Sequence, residues 1–153
     1  MTVAVCLGVL LLFAVGLIRC WNSVRDWVAT HAAWEQGDRK IVEYVEQLAA
    51  KEGVGTVQPG TLTLGLSAPL YHYTQWPVKE LYFADPATTT EFLSGPELHL
   101  AVVPEESLVG QWADTPTGKN WRWLKTNYDL EPVGQEGAYT VYVIRKPAEL
   151  PVP

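Results

Sequence analysis

Read for its alternation of apolar and polar positions, the chain opens on an uncharged run, Val3 to Ile18 (VAVCLGVLLLFAVGLI). With Thr2, Cys20 and Trp21 at its margins, the run approaches the roughly 20 residues that carry a helix across a bilayer core. Arg19 and Trp21 stand where interface anchors belong. After it, Val24, Trp27, Val28 and Trp34 recur at helical spacing. Asp38 is placed to cap a new helix after Gly37, in which Ile41, Val42, Val45, Leu48 and Ala49 form one apolar stripe. Gly53 suits its carboxyl-terminal stop. Thr61–Leu66 alternates as a strand with one face in a core. Ser67 is placed to cap a short helix through its hydroxyl, and Pro69 fits the first turn. Leu70, Tyr71, Tyr73 and Trp76 give that helix a bulky side, Pro77 stops it, and Glu80–Ala84 reads as a second strand. The short connection leaves the relative direction of the two strands open.

Asp85-Pro86 is a strong helix start, with Gly95 as the stop. Leu98–Val103 is near-continuously apolar, the pattern of a central strand covered on both faces. Ser107 opens a short helix with Leu108 and Trp112 facing inward, 114–119 reads as a loop, and Asn120 caps a helix on which Trp121, Leu124 and Tyr128 share a side. Leu130–Gly134 and Tyr139–Arg145 form a hairpin around Gln135-Glu136-Gly137, and the second strand is dense in β-branched and aromatic residues. This order predicts an α/β protein: one N-terminal transmembrane helix, then a small three-layer domain with a mixed sheet of about five strands. The expected divisions are a span at 1–21, a juxtamembrane segment at 22–37, the α/β domain at 38–146 and an extended or disordered tail at 147–153.

Composition sharpens this picture in two places. All 17 acidic residues and 10 of the 11 basic ones follow Trp21, a net charge of −7 on that part of the chain. Such a surface repels phosphate backbones and argues against nucleic acid as a partner. The seven Trp and seven Tyr suit either an aromatic core or a membrane interface. Both cysteines, Cys6 and Cys20, lie in or beside the apolar run, so neither a disulfide framework nor a thiolate metal site is indicated.

The search for chemistry is mostly negative. His31, His72 and His99 are scattered, with no His-x-x-x-His spacing, so no metal site is expected. No Gly-x-Ser-x-Gly elbow, dinucleotide fingerprint or phosphate loop is present. Glu105-Glu106 follows the central strand, where paired carboxylates can do acid–base work, but adjacent residues point apart and acids also favour a helix start. A hydrolase pairing His72 with Glu105 lacks a nucleophile held by a base. No catalytic residue and no cofactor is therefore assigned. The candidate ligand-contacting residues are Tyr71, His72, Tyr73 and Trp76, aromatic groups on the helix after the first strand, where α/β folds place ligands. The same side chains would equally fill a core.

One stretch, TLTLGLSAPLYHYTQWPVKELYF (61–83), has the form strand, Leu-Tyr-x-Tyr-Thr turn, second strand, and LHLAVVPEESLVGQW, NWRWL and EGAYTVYVIRK continue it. Together with the apolar run, these resemble the carboxyl-terminal part of bacterial GT-C membrane glycosyltransferases related to the dolichyl-phosphate-mannose protein mannosyltransferases and the lipid A aminoarabinose transferases. The resemblance covers about residues 1–146 through loose motifs. It implies a sugar drawn from a polyprenyl-phosphate donor, chemistry on the outer face of the membrane, and a catalytic carboxylate in an early external loop that this chain does not contain. On that resemblance the chain is a noncatalytic extracytoplasmic cap held to the plasma membrane, with membrane lipid, a lipid-linked sugar or the remaining transmembrane part of the enzyme as partners. Arg19 and Arg25 follow the apolar run and nothing basic precedes it. Alone, this places the domain in the cytoplasm, but orientation in a polytopic protein is set by many loops. The competing expectation is a single-span anchored module that binds sugar or protein.

Overall fold

A computed structural model describes residues 2–53, 58–94 and 99–145, with side chains from residue 15 onward. It divides into two compact units, Met1–Gly37 and Asp38–Pro153. One helix, α1 (Thr2–Lys51), runs unbroken through the position where a helix start was expected at Asp38. The physical reason is simple. Gly37 costs a helix only about 1 kcal/mol, no proline occurs before Pro59, and no other group competes for the backbone there. Asp38 is thus an interior helical residue rather than a cap. Its half-buried carboxyl is pushed above the ordinary value by burial.

In the first unit the side chains from Val15 to Gly37 are all exposed. They include Leu17, Trp21, Val24, Trp27, Val28 and Trp34. His31 sits between two of the tryptophans, its ring centroid 3.8 Å from that of Trp27 and 5.2 Å from that of Trp34. The expected transmembrane helix gains no support here: among the described residues no helix is long and apolar enough to cross a membrane. That expectation rests on Val3–Ile18, and the side chains before residue 15 lie outside the described ones, as do Gly95, Leu98 and the tail 147–153.

The second unit is an α/β domain around a five-stranded mixed sheet of order β2-β1-β3-β5-β4. Its strands are β1 (Gly60–Thr63), β2 (Val78–Glu80), β3 (His99–Val103), β4 (Asp129–Glu136) and β5 (Tyr139–Arg145). β1 lies between β2 and β3 and is parallel to both, and β5 returns antiparallel to β3 and β4. The open question of strand direction is thereby answered. An eight-residue helix, α2 (Ser67–Thr74), suffices for the parallel crossover. The strand expected at Glu80–Ala84 lies earlier. Pairing begins at once after Pro77, whose carbonyl accepts from Thr61 N (2.8 Å), and ends as Phe83 N turns back to Glu80 O (3.1 Å).

The crossover from β1 to β2 and the one from β2 back to β3 run in opposite directions along the sheet. Right-handed connections must then fall on opposite faces, and they do. Leu66 and Leu70 join Val42, Val45, Leu48 and Ala49 of α1 against Leu100, Val102, Val141 and Val143. On the other face Leu93, just after α3 (Pro86–Phe92), packs with Leu108 of α4 (Glu105–Val109) and Trp121 and Leu124 of α5 (Pro116–Asn127). β3 is buried at every residue, as its apolar run predicts. Each large aliphatic side chain so enclosed contributes about 1.5–3 kcal/mol.

Helix starts follow proline more closely than the sequence reading had it. Asp85 caps α3 with a full capping box to Thr88, as expected. α4 begins at Glu105, directly after Pro104, rather than at Ser107. α5 begins at Pro116 under a Thr115 cap, so four of the six residues 114–119 are helical and Asn120 lies inside the helix. The Asn120 amide serves elsewhere, donating to the carbonyl of Ala84. A glycine seats α1 on the sheet: a Cβ at Gly134, beside the β4 irregularity, would meet Tyr44 Oη and would lie 2.7 Å from Leu48 Cδ1.

Candidate functional site: the carboxyl edge of the parallel strands

β1 and β3 are adjacent and parallel, yet the chain leaves them toward opposite faces, into α2 and α4. Such a parting is where open α/β sheets hold ligands. β2 ends on the same edge at Glu80, and the antiparallel β5 begins there, with Thr140 opposite Val103. Three groupings of side chains stand along this edge.

The first is Glu80. Its carboxylate accepts Gly65 N at 3.1 Å from either oxygen and Ser67 N at 3.2 Å. The cap of α2 therefore comes from the neighbouring strand, and not from the Ser67 hydroxyl. The residue at the cap position is Leu66, which has no side-chain bond to offer. Gly65 takes a left-handed turn (φ +87°), and a Cβ there would lie 3.4 Å from Tyr139 Oη. The half-buried Tyr139 phenol is pushed above its ordinary value, by burial first and then by the charges of Asp38 and Glu80 and by Tyr82.

The second grouping joins Glu105, Tyr142 and Lys125. Tyr142 is buried, and its hydroxyl donates to Glu105, whose other oxygen takes Lys125 Nζ at 2.8 Å. Partial burial acts to raise the Glu105 carboxyl. The hydrogen bonds from Lys125 and Tyr142, with the ammonium charge, outweigh it, so the net displacement is downward. The Tyr142 phenol is pushed well up, by burial and by its bond to an anion beside it. Tyr142 also meets Trp121 edge to face at 5.5 Å.

The third is an aromatic corner. Leu81 and Ala84 are buried, and the two residues between them, Tyr82 and Phe83, are thrust outward at 45% and 83% exposure. Tyr82 meets Phe83 at 6.5 Å and 60°, and the half-buried Trp112 at 5.4 Å and 70°.

Tyr71, His72 and Tyr73 are exposed on α2, with His72 edge-on to Tyr73 at 4.9 Å. Trp76 is half-buried and packs against the α1-side core. Of the four candidates, a ring contact thus joins two and packing claims a third. His72 is on the helix that packs one face of the sheet and Glu105 on a helix that packs the other, so they do not form an acid–base pair. Among the described residues no group of three or more His, Cys, Asp or Glu could hold a metal ion.

Sequence reasoning missed the corner because Leu81–Ala84 passed for strand. Two adjacent aromatic residues between small or aliphatic ones three apart fit a turn better, since a half-buried strand alternates. It also missed Tyr142 and Lys125, which reach Glu105 from 37 and 20 residues away. Chemically, the edge offers protonated phenols, engaged carboxylates and open ring faces. Such groups can hold and orient a ligand, and none of the three groupings contains an activated nucleophile. Compared with protein-family models, curated proteins and solved structures, the chain matches none.

Proposed function

We propose that this chain is a noncatalytic, membrane-held domain that caps a glycosyltransferase drawing on a polyprenyl-phosphate sugar, with the domain on the extracytoplasmic side. The observation that carries the reading is the continuity of α1. A single helix holds the uncharged run Val3–Ile18, the exposed Trp21, Trp27 and Trp34, and the stripe Val42–Ala49 that closes one layer of the α/β domain. An apolar run followed by tryptophans is the order that a bilayer core and its interface require. The carboxyl edge, rich in ring faces and poor in reactive groups, suits holding a sugar rather than transforming it.

Two experiments test this. Reading the gene upstream of Met1 is expected to find an open frame that encodes further apolar spans and an acidic external loop; a start signal with no such frame overturns the cap. Protease added to intact cells is expected to digest the α/β domain; protection until lysis places it on the wrong side. A second reading, a single-span anchored module that binds sugar or protein, is favoured by the exposed aromatic side chains of α2 and of the 81–84 turn. It survives a negative result upstream.

A further inference from the structure

We propose that the corner formed by Tyr82, Phe83 and Trp112 is a binding site for a neutral saccharide of one or two pyranose rings. The proposal rests on the reading of this domain as one that handles sugars, and it names the place and the ligand class.

The corner is built, not frayed. Leu81 N donates to Thr63 O at 2.8 Å, and Phe83 N to Glu80 O at 3.1 Å. The Ala84 carbonyl is held by the Asn120 amide. Both anchors are at most 2% exposed. A single exposed phenylalanine is ordinary on a protein surface. Two aromatic residues on one anchored turn, the first of them in edge-to-face contact with Trp112, form a shaped surface at the edge where the parallel strands end.

Size, charge and ring geometry choose the occupant. A whole aromatic side chain covers about 150–250 Å², so three partly exposed ones offer roughly 300 Å². A stable protein interface takes about 800 Å² from each partner, so the corner is too small to dock a protein by itself. It suits one or two sugar rings. Glu80 and Asp85 bracket the turn in sequence and outnumber Lys79, whose ammonium is held by the Thr88 carbonyl at 2.8 Å, so the balance of charge disfavours phosphate and anionic lipid. A cationic ammonium prefers a cage of rings facing one point. Here the rings meet each other edge to face at 60° and 70° and do not converge on one point, and Tyr82 and Phe83 stay exposed. Exposed ring surface suits the C–H side of a pyranose, and the exposed Tyr82 carries a hydroxyl as a polar tip for the sugar's hydroxyls.

The test uses the full chain in sodium cholate, a detergent with neither a sugar nor an ammonium headgroup. Saturation-transfer NMR is recorded with maltotriose, cellotriose, mannotriose and, separately, tetramethylammonium. Transfer to at least one trisaccharide is expected, strongest on one or two of its rings. Phe83→Ala should weaken it about fivefold or more, with an unchanged circular dichroism spectrum because the ring is exposed. Glu46→Ala, on the exposed side of α1, should leave it alone. Transfer that survives Phe83→Ala but falls with Tyr71→Ala overturns the corner and keeps the sugar reading. Absence of transfer to all three sugars overturns both, as does transfer to tetramethylammonium alone. Sedimentation that shows Phe83→Ala splitting a dimer also overturns the proposal and makes a second copy the occupant.

Discussion

Removing the Tyr142 hydroxyl tests whether Glu105 belongs to a structural clamp or to reaction chemistry. Tyr142→Phe keeps the ring, its edge-to-face contact with Trp121 and its buried volume. It deletes one hydrogen bond to a carboxylate. A bond to a charged partner is worth about 1.5–3 kcal/mol net. Glu105 retains Lys125, and its side chain is 28% exposed, so water replaces part of the loss. We expect Tyr142→Phe to cost about 1–2 kcal/mol at pH 7, read from urea unfolding followed by circular dichroism. The pH dependence carries the sign. Because the folded Glu105 carboxyl is held below its ordinary value, its stabilisation is present above the ordinary carboxylate range and is lost as pH falls through the folded value. The variant's deficit should therefore shrink in acid. The phenol, held above its ordinary value, works the other way. Its contribution is intact below about pH 10 and drains away above it, as the unfolded chain ionises first. The variant has no such alkaline loss. A deficit at pH 7 near zero, or one that stays constant down to pH 3, refutes the clamp.

Other substitutions follow from backbone geometry. Gly118→Ala should destabilise by about 1–3 kcal/mol: its Cβ would press on the Trp112 carbonyl and come within 2.8 Å of the Ala113 carbonyl, neither of which can swing aside. The same change at Gly37, with nothing within 4 Å, should stabilise its helix by up to about 1 kcal/mol, so thermal melts of the two variants should move in opposite directions. Thr115→Ala removes the α5 cap and should cost about 1 kcal/mol in urea unfolding. Glu80→Gln replaces an acceptor of three bonds with a group that is half donor. Hydrogen exchange at the amides of Gly65 and Ser67 should rise about tenfold, and unchanged protection would show that the carboxylate does not hold the loop.

The layers were legible where periodicity is strong. Ile41, Val42, Val45, Leu48 and Ala49 on one helix stripe and the solid apolar run of β3 each force a buried element, and the structure buries them, Ile41 only in part. What was not legible depended on competition between local signals. Asn120 and Asp38 are good caps in isolation, but Thr115-Pro116 starts one helix earlier and no breaker interrupts the other. Ser67 lost its capping role to Glu80, a residue 13 positions on that only the parallel pairing of β1 and β2 brings near. The Tyr82–Phe83 turn was hidden for a related reason. Strand and turn share the same residues there, and only the register, which exhausts β2 at Glu80, decides between them. The four aromatic candidates on and after α2 were read as one surface. They diverge because Trp76 follows the helix, past a left-handed Gln75 (φ 59°), and turns to the core.

The two edges of the sheet differ in a way that bears on where any ligand can go. At the amino ends of β1 and β3, Pro59, Gly60 and Thr61 are all buried. A Cβ on Gly60 would lie 2.5 Å from His99 Nδ1 and 3.2 Å from the Phe92 ring, so these side chains already fill the room beside the strand. Lys79, on β2 opposite Leu62, gives its ammonium to the Thr88 carbonyl at 2.8 Å. Among the described residues this edge is filled by packing, and opening it there would cost buried contacts. At the carboxyl ends, Gly65 is exposed, Glu80 ties the loop with its own oxygens, and Tyr82 and Phe83 stand outward on buried anchors. Their exposure leaves hydrophobic free energy unclaimed in the isolated chain, about 25 cal/mol for each Å² still in water. A ligand placed on the carboxyl edge recovers it without disturbing the fold, and one placed on the amino edge must first break the packing around His99. The asymmetry predicts that Gly60→Ala damages stability and Phe83→Ala damages only binding, two readouts that separate a closed edge from an open one.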